Sequence, residues 1–267
     1  MNQTILRWAG SKRQLVPLLS EYWHKSKSDR YVEPFAGSAC LFFNVMPKDA
    51  ILGDINGELI TTYKQLRKDW GKIFAILKKT RRSKKTYYEL RSADPEKISD
   101  PSFRAARFVY LNRFCFNGLY RTNRSGQFNV PYSGYGAIPP EIVFSDAAKL
   151  LKNAKLLTAD FEETLKCVRK GDFVYMDPPF SVHNKDVFTD YDASKFDLEE
   201  LAQLREWMLK FDRMDIPFLV SYLESEEAKM LSKGFHKRTV SVKRSIAGFA
   251  SNRRTAREVL ISNIKID

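Results

Sequence analysis

Six short apolar runs, most of them ending in turn or polar residues, constrain the fold of this chain more than any other feature. They lie at residues 31–32, 50–52, 156–157, 173–176, 218–220 and 259–261. Short, continuous apolar runs are typical of strands that are buried on both faces of a sheet. Apolar residues at helical spacing predict helices over 14–23, 59–77 and 198–211, the last one starting at acidic residues. Strands that alternate with helices predict an α/β fold.

This alternation is interrupted between about residues 63 and 150. The interrupted segment contains a predicted loop at 92–101 and a predicted helix at 103–116. Polar residues 123–126 lie between two extended arms, which is the pattern of a β-hairpin. We therefore predict a subdomain, residues 63–145, that is inserted into a main domain formed by residues 1–62 and 146–267.

Positive charge is concentrated in the same segment. The chain has a formal net charge of +13, and residues 64–124 hold 17 Lys and Arg against 5 Asp and Glu. Aromatic and amide side chains such as Tyr87, Phe116 and Asn117 are interleaved with these cations. Because Lys and Arg neutralise phosphates and flat rings stack on bases, the segment predicts a polyanionic partner. A solvated basic face is the alternative.

Composition and cysteine spacing disfavour several classes of protein. Hydrophobic residues make up 43% of the chain, and no stretch approaches the ~20 apolar residues of a membrane span, so no membrane partner is expected. Residues 1–13 have no apolar signal-peptide core. The cysteines Cys40, Cys115 and Cys167 are odd in number and lack the spacing of zinc ligands. We therefore expect a reducing, cytoplasmic location, no disulfide and no metal.

The motif formed by Asp177, Pro178, Pro179 and Phe180 is the most informative one in the chain. It follows a predicted buried strand, and open α/β sheets bind ligands at the carboxyl ends of their strands. The prolines fix the backbone and present carbonyl acceptors. The Asp177 carboxylate and the Pro178 carbonyl would each accept one hydrogen of an exocyclic base amine and stabilise positive charge developing there. Phe180 would stack on an extruded base. A strand-ending Asp-Pro turn is the alternative.

A turn rich in small residues at 32–39 and an acid at Asp54 suggest a second binding element. Small residues let a ligand approach the backbone closely, and an acid at a strand end binds ribose hydroxyls in nucleotide-binding folds. The chain contains neither Gly-x-Gly-x-x-Gly nor a Gly-Lys-Ser/Thr loop, which disfavours a dinucleotide or a nucleoside triphosphate. An ordinary turn is the alternative.

Segment 7–12 places a ring and a cation close together near the start of the chain. Trp8 would face the positive sulfur of a sulfonium ligand, and Lys12 would pair with the carboxylate of such a ligand. A basic arm that touches phosphate is the alternative.

Together these segments resemble the alpha class of DNA adenine-N6 methyltransferases, and specifically the Dam family. The order is the same: Trp-Ala-Gly-x-Lys at 8–12, Glu-Pro-Phe-x-Gly at 33–37, Asp-Ile-Asn at 54–56, an insert, and Asp-Pro-Pro-aromatic at 177–180. Segments 111–121 and 126–132 of the insert, and segments 242–246 and 258–261, are also similar to that family. The resemblance therefore covers nearly the whole chain.

The resemblance implies a Rossmann-like, S-adenosylmethionine-dependent methyltransferase fold with a mixed, mostly parallel seven-stranded sheet. The insert would be a mainly helical target-recognition subdomain that contains a β-hairpin. The implied activity is methyl transfer from S-adenosylmethionine to the N6 amine of an adenine flipped out of double-stranded DNA, in a GATC or GAT-containing site. We expect a monomer in solution, and because related restriction-modification enzymes share much of this segment, a cognate restriction endonuclease is a candidate partner.

The resemblance also implies roles for individual residues. The implied catalytic residues are Asp177, Pro178, Pro179 and Phe180. The implied cofactor contacts are Trp8, Lys12, Phe35, Gly37, Asp54, Asp160, Phe161 and Asp177. The implied DNA contacts are Arg7, Phe116, Asn117, Leu119, Arg121, Asn123, Arg124 and Pro131. Among these we expect Arg121 to read a guanine directly, because an Arg fork binds the O6 and N7 of guanine bidentately.

Three positions depart from the pattern of the family. Phe180 replaces the commoner tyrosine, and stacking needs only the ring. Ala39 stands where the family usually has a second glycine, so a positive φ there would be strained and would weaken cofactor binding. Ser11 replaces a glycine, with an effect that the sequence does not predict.

Several rival functions stay open at this level. An N4-cytosine methyltransferase would use nearly the same catalytic chemistry, and an RNA or protein methyltransferase is a further alternative. A C5-cytosine enzyme needs an attacking thiolate, usually in a Pro-Cys pair, which this sequence lacks. A DNA-binding protein with an inactive methyltransferase domain is the rival from another class, and the intact Asp177-Pro178-Pro179 and Lys12 argue against it.

Overall fold

A seven-stranded sheet forms the centre of the protein in a computed structural model that describes residues 4–179, 196–243 and 255–266. The strands are β1 Arg30–Glu33, β2 Ala50–Asp54, β3 Ala154–Thr158, β4 Asp172–Met176, β5 Phe218–Leu223, β6 His236–Lys243 and β7 Thr255–Ser262. Their order is β3-β2-β1-β4-β5-β7-β6. Strands β1 to β5 pair in parallel, and β7 pairs antiparallel with both β5 and β6. The predicted α/β fold with a mostly parallel sheet of seven strands is therefore confirmed.

Burial of the strands follows their place in the sheet. The central strands β1, β4 and β5 are buried along almost their whole length, as continuous apolar runs predict. The prediction of burial on both faces is wrong for β3, because this strand lies at the edge of the sheet and exposes Lys155 and Thr158. Strand β6 was not predicted, because it is the opposite edge strand and its His236, Lys237 and Arg238 are exposed.

Helices cover both faces of the sheet. They are α1 Val16–Ser26, α2 Cys40–Val45, α3 Gly57–Lys79, α4 Lys84–Ser92, α5 Pro101–Phe114, α6 Glu141–Leu151, α7 Phe161–Leu165, α8 Leu198–Arg213 and α9 Glu226–Ser232. Neighbouring strand residues point to opposite faces, so Tyr31 and Phe173 join one hydrophobic cluster while Val32 and Val174 join the other. The predicted helix at 198–211 is confirmed and extends to Arg213, with a capping box formed by Asp197 and Glu200.

The chain between β2 and β3 forms a mainly helical unit from α3, α4, α5 and α6. Both predicted boundaries, at 62–63 and 145–146, fall inside the helices α3 and α6, so the division into domains stays a prediction. The helix predicted at 103–116 begins at Pro101, capped by Asp100, and ends at Phe114. The arms of residues 115–132, called the hairpin segment below, meet at two isolated antiparallel bridges, Cys115–Tyr132 and Thr122–Phe128.

Among the residues that the structure describes, no helix is long and apolar enough to cross a bilayer.

Candidate active site and DNA-reading surface

Several predicted site residues of the main domain lie at the carboxyl ends of four neighbouring parallel strands, along one edge of the sheet. Phe35 and Gly37 follow β1, Asp54 ends β2, Asp160 follows β3, and Asp177 follows β4. The carboxyl ends of parallel strands meet at the same edge, which is where open α/β sheets bind their ligands. The fold therefore brings these residues together, although they are far apart in sequence.

Asp177 is held by two donors at the end of β4. Lys12 Nζ donates to Asp177 Oδ1 at 2.6 Å, and Ser221 Oγ donates to the same oxygen at 2.9 Å. The hydroxyl groups of Tyr175 and Ser221 are hydrogen-bonded to each other at 3.0 Å. The Asp177 side chain is 20% exposed, so it is anchored from the protein side and still accessible from the other. Pro178 is buried and Pro179 is exposed, while Phe180 lies outside the described residues.

Lys12 is buried among acceptors of the protein itself. Besides Asp177, its ammonium group contacts the Gly10 carbonyl at 3.0 Å and the Glu258 carboxylate at 3.8 Å. Its side chain is only 3% exposed, and a buried cation is stable only when it is paired. The sequence predicted that Lys12 pairs with a carboxylate of the ligand. In the structure Lys12 instead bonds to Asp177 of the protein and orients its carboxylate.

Gly37 and Asp54 form a tight turn beside this corner. The backbone N–H groups of Gly37 and Asn56 each donate to the Asp54 carboxylate at 2.9 Å. Burial raises the pKa of Asp54, and these two donors oppose that rise. The Tyr63 hydroxyl donates to the Gly37 carbonyl at 2.7 Å. The turn is therefore fixed from three sides.

Trp8 lies directly on this turn. A Cβ placed on Gly37, which has φ +45°, would come 2.9 Å from Cδ1 of Trp8. The position therefore needs glycine both for its backbone conformation and for the ring that covers it. The Trp8 ring also stacks on Tyr120, with ring centroids 6.0 Å apart and an interplanar angle of 13°.

Apolar groups border the Asp54 end of the site. Ile55, next to Asp54, is 76% exposed although its neighbours Leu52 and Leu59 are fully buried. Asp160 is exposed and caps α7 by accepting from the Glu163 N–H at 2.8 Å. Phe161 is only 6% exposed and stacks on Phe35 at 5.5 Å, so this pair forms an apolar floor rather than a free surface.

Two departures from the family pattern acquire a structural explanation. Ala39 has φ +49° and ψ +39°, which is the left-handed conformation with the positive φ for which the sequence predicted strain. A residue with a Cβ is strained there by about 1–2 kcal/mol. The Ser11 hydroxyl lies 3.1 Å from the Ser38 hydroxyl, so this serine ties the segment 7–12 to the turn after β1.

The N-terminal segment is also fastened to the helical unit. Asn112 on α5 accepts from the Arg7 N–H at 2.8 Å and donates to the Arg7 carbonyl at 2.5 Å. The guanidinium of Arg113 donates to the carbonyl groups of Thr4 and Ile5 at 2.6 Å each, and burial lowers the pKa of Arg113 to about 10. Arg7 is thereby placed beside Gly118. A Cβ added to Gly118 would lie 2.8 Å from the Cβ of Arg7.

Exposed apolar residues lie at the start of the hairpin segment. Phe116 is 38% exposed and Leu119 is 36% exposed, on either side of Asn117, which has φ +56°. The Phe116 N–H donates to the carbonyl of Pro131, itself exposed, at 2.9 Å. The predicted DNA contacts at 116, 117, 119 and 131 therefore share one surface with Arg7.

The remaining predicted DNA contacts differ in how their side chains are used. Arg121 Nε donates to Asn129 Oδ1 at 2.7 Å, which orients the guanidinium at the surface. Asn123 uses its own Oδ1 to accept from the N–H groups of Ser125 and Gln127, so it closes the hairpin turn. Arg124 is exposed at the tip of that turn.

Comparison with known proteins gives a family that fits this geometry. Residues 8–246 match the family described as D12 class N6 adenine-specific DNA methyltransferase. The chain belongs to this family. The predicted function class, methylation of adenine N6 in DNA, is confirmed, and the N4-cytosine alternative is not supported.

Several relatives resemble this methyltransferase over nearly their whole length. The Type II methyltransferase M1.LlaDCHI of Lactococcus lactis subsp. cremoris is 34% identical over 96% of this chain and 94% of that protein. The Type II methyltransferase M.MjaIII of Methanocaldococcus jannaschii is 32% identical, covering 90% and 91%. The DNA adenine methylase of Escherichia coli strain K12 is 30% identical, covering 97% and 94%.

Sequence reasoning missed several residues around the site of the methyltransferase. Tyr175 belonged to an apolar strand run and Ser221 directly followed another, and neither was assigned a role. A polar residue directly at a strand end was the available signal for Ser221. Glu258 and Ile55 gave no signal beyond their neighbours in the motifs, because their positions depend on contacts between distant segments. Tyr120 was noted only as one of the rings interleaved with the basic charge, and its contact with Trp8 was not predicted.

Glu33 is a further buried acid of the methyltransferase next to this site. It is 3% exposed and accepts from the Tyr31 hydroxyl at 3.0 Å. Burial raises the pKa of Glu33 well above its ordinary value, and the negative charges of Asp177 and Asp54 add to that rise. A group of three His, Cys, Asp or Glu side chains arranged to hold a metal ion is not found within 4–179, 196–243 and 255–266.

Proposed function

We propose that this methyltransferase uses S-adenosylmethionine to methylate the N6 amine of an adenine that is flipped out of double-stranded DNA, in a GATC or GAT-containing site. The observation that carries the proposal is the anchored Asp177 carboxylate at the carboxyl end of β4, bonded to buried Lys12 and to Ser221. It stands at the same sheet edge as the turn formed by Gly37 and Asp54.

The residues at this edge fit S-adenosylmethionine. Gly37 has no side chain, so the Trp8 ring packs directly on the turn, and a Cβ at this position would collide with the ring. We assign Asp54 to accept from ribose hydroxyls with the lone pairs that Gly37 and Asn56 leave, and the exposed Ile55 beside it offers apolar surface to an adenine ring. When bound, this group supplies an electrophilic methyl on a positively charged sulfur. The face of Trp8 favours a cation nearby.

The Asp177 corner, formed by Asp177, Pro178 and Pro179, acts on the amine. Lys12 and Ser221 both bond Oδ1, which fixes the carboxylate and assigns Oδ2 to one amine hydrogen. The Pro178 carbonyl accepts the other hydrogen, because proline fixes the backbone there. Two preorganised acceptors stabilise the positive charge that develops on the amine nitrogen during transfer. Phe180, which lies outside the described residues, is assigned the stacking role on the flipped base.

The surface around the hairpin segment reads the duplex. The guanidinium of Arg121 is oriented through its Nε by Asn129, and its two remaining nitrogens form the fork that guanine O6 and N7 accept from. Exposed Phe116 and Leu119 provide apolar wedges beside Arg7. Base flipping costs a few kcal/mol of lost stacking, which such wedges offset.

Methyl transfer to defined duplexes tests this proposal. The purified protein is incubated with labelled S-adenosylmethionine and duplexes that contain GATC, single-base changes of GATC, or no adenine in that context. Nucleoside mass spectrometry and sequencing of methylated DNA then identify the modified atom and its context. We expect N6-methyladenine in GATC or GAT-containing sites. Tight, salt-sensitive DNA binding with no transfer would instead support an inactive DNA-binding relative, and transfer in an unrelated context would refute the proposed site.

A further inference from the structure

We propose that Tyr120 is a positioning residue that couples cofactor binding to the placement of Arg121 in the hairpin segment. The inference rests on the proposed cofactor site at Trp8 and Gly37. The neighbours Leu119 and Arg121 are assigned to contact DNA, whereas Tyr120 is assigned to connect them to the cofactor site.

The coupling begins at Trp8, whose ring contacts two other residues. Gly37 lies so close that an added Cβ would be 2.9 Å from the ring. Tyr120 lies nearly parallel to the ring at a centroid distance of 6.0 Å. A ligand that shifts or fixes Trp8 therefore shifts or fixes Tyr120 as well, because packed aromatic rings do not deform independently.

From Tyr120 the contacts lead into both the scaffold and the reading surface. Its ring packs on Phe108 of α5 at 5.9 Å and on Phe128, in the returning arm of the hairpin segment, at 5.7 Å. Arg121 follows directly in the chain, and its carbonyl accepts from the Asn129 N–H at 3.0 Å. Tyr120 is thus the ring that lies between the cofactor end and the residue assigned to read guanine.

The surroundings of the hairpin segment make this attachment important. A cavity of about 670 Å³ is lined by Tyr88 of α4, by Arg107 of α5 and by Phe128 and Asn129 of the hairpin segment. The returning arm is also held by α4, because the Tyr87 hydroxyl donates to the Val130 carbonyl at 2.9 Å. The ring contact between Tyr120 and Phe128 holds the part of the segment that lines the cavity.

The coupling requires two arrangements of the hairpin segment, one favoured when the cofactor is bound and one when it is absent. A ligand shifts the equilibrium between them only by its difference in affinity for the two, and the effect of cofactor on DNA and of DNA on cofactor is reciprocal. S-adenosylhomocysteine should therefore tighten binding of a cognate duplex by about 5- to 150-fold, the usual range of coupling between two sites. The duplex should tighten binding of S-adenosylhomocysteine by the same factor. Neither quantity requires turnover, so both are measured on the intact protein by calorimetry or fluorescence anisotropy.

Tyr120→Leu removes the ring and tests the coupling directly. We expect each ligand alone to bind Tyr120→Leu, while the coupling factor falls to about 1–2. Tyr120→Phe keeps the ring and should keep the factor. Tyr135→Leu is the matched control, because Tyr135 belongs to the same helical unit but is 82% exposed. Phe128→Leu cuts the same route on the hairpin side and gives a second test in case Tyr120→Leu does not fold.

The outcomes separate this inference from the proposed function. If the wild-type protein binds S-adenosylhomocysteine and the duplex without mutual effect, or if Tyr120→Leu and Phe128→Leu retain the full factor, the coupling is refuted and the cofactor site stands. If the wild-type protein does not bind S-adenosylhomocysteine at all, the cofactor assignment is refuted together with the coupling.

Discussion

Lys12→Met should destabilise the protein strongly, because Lys12 is the cation between two carboxylates at the edge of the sheet. Its Nζ lies 2.6 Å from Asp177 and 3.8 Å from Glu258, and Lys12 and Glu258 are each 3% exposed. Removing one partner of a buried ion pair costs about 3–5 kcal/mol, since the other charge remains without compensation. Asp177 is 20% exposed and keeps its bond from Ser221, which places the expected loss near the lower end, about 3 kcal/mol.

Urea unfolding followed by circular dichroism measures this loss, with Lys229→Met as the matched control. Lys229 and Glu226 are 2.7 Å apart, nearly the same distance, but their side chains are 65% and 82% exposed. An exposed pair contributes little to stability, because solvent screens the two charges. The two lysine variants therefore differ mainly in burial, and equal losses of stability would refute the reasoning.

A double-mutant cycle with Asp177→Asn isolates the pair itself. Once the Asp177 charge is removed, the further change Lys12→Met should cost about 1–3 kcal/mol less than it does in the wild-type protein. Additive losses would show that Lys12 acts through its packing and not through Asp177.

Three further predictions follow from individual contacts. Burial raises the pKa of Glu33 above its ordinary 4.5, so the folded state keeps a proton that the unfolded chain releases. The free energy of unfolding therefore falls as the pH rises from the ordinary pKa through the raised pKa. Glu33→Gln should flatten this part of the stability–pH curve and raise stability at pH 8, and an unchanged curve would contradict the burial argument. Gly37→Ala should cost more folding free energy than the about 1–2 kcal/mol expected from its positive φ, because the new Cβ also meets the Trp8 ring at 2.9 Å, and it should weaken S-adenosylhomocysteine binding at least about tenfold. Gly234→Ala, where φ is +87° and the new Cβ enters open space, should show only the cost of the positive φ and should keep the cofactor affinity; equal cofactor affinity in the two variants would contradict a cofactor site at Trp8 and Gly37. Arg121→Ala should reduce discrimination at one base pair by about 1–3 kcal/mol in kcat/KM on single-change duplexes, whereas a uniform loss on all sequences would make Arg121 a phosphate contact.

The sequence predicted the parts of the fold that depend on local pattern. Buried strands such as β4 are continuous apolar runs, and α8 carries its capping residues in the sequence, so both were predicted close to their observed bounds. Strand β6 is a basic edge strand whose stabilising partner, β7, follows later in the chain. No apolar run marks such a strand, because solvent covers one of its sides.

The same distinction applies to the site. The motif at 177–180 and the turn at 32–39 are contiguous, so their chemistry was evident from residue types alone. The partner of Asp177, in contrast, is a lysine 165 residues away. Contacts of this kind depend on how the sheet brings segments together, which is also why the stack of Trp8 on Tyr120 was not anticipated.

The most direct test of the account is the single-turnover rate of methyl transfer to adenine in duplex DNA for Asp177→Ala. Asp146→Ala on α6 serves as the control, because that acid pairs with Lys149 at the surface. We predict that Asp177→Ala lowers the rate by at least about 10²–10³-fold, the usual effect of removing one preorganised stabilising group. The dissociation constant for the duplex should stay within about threefold of the wild-type value, as expected when an interaction belongs mainly to the transition state. A near-normal rate in Asp177→Ala would contradict the account at its centre.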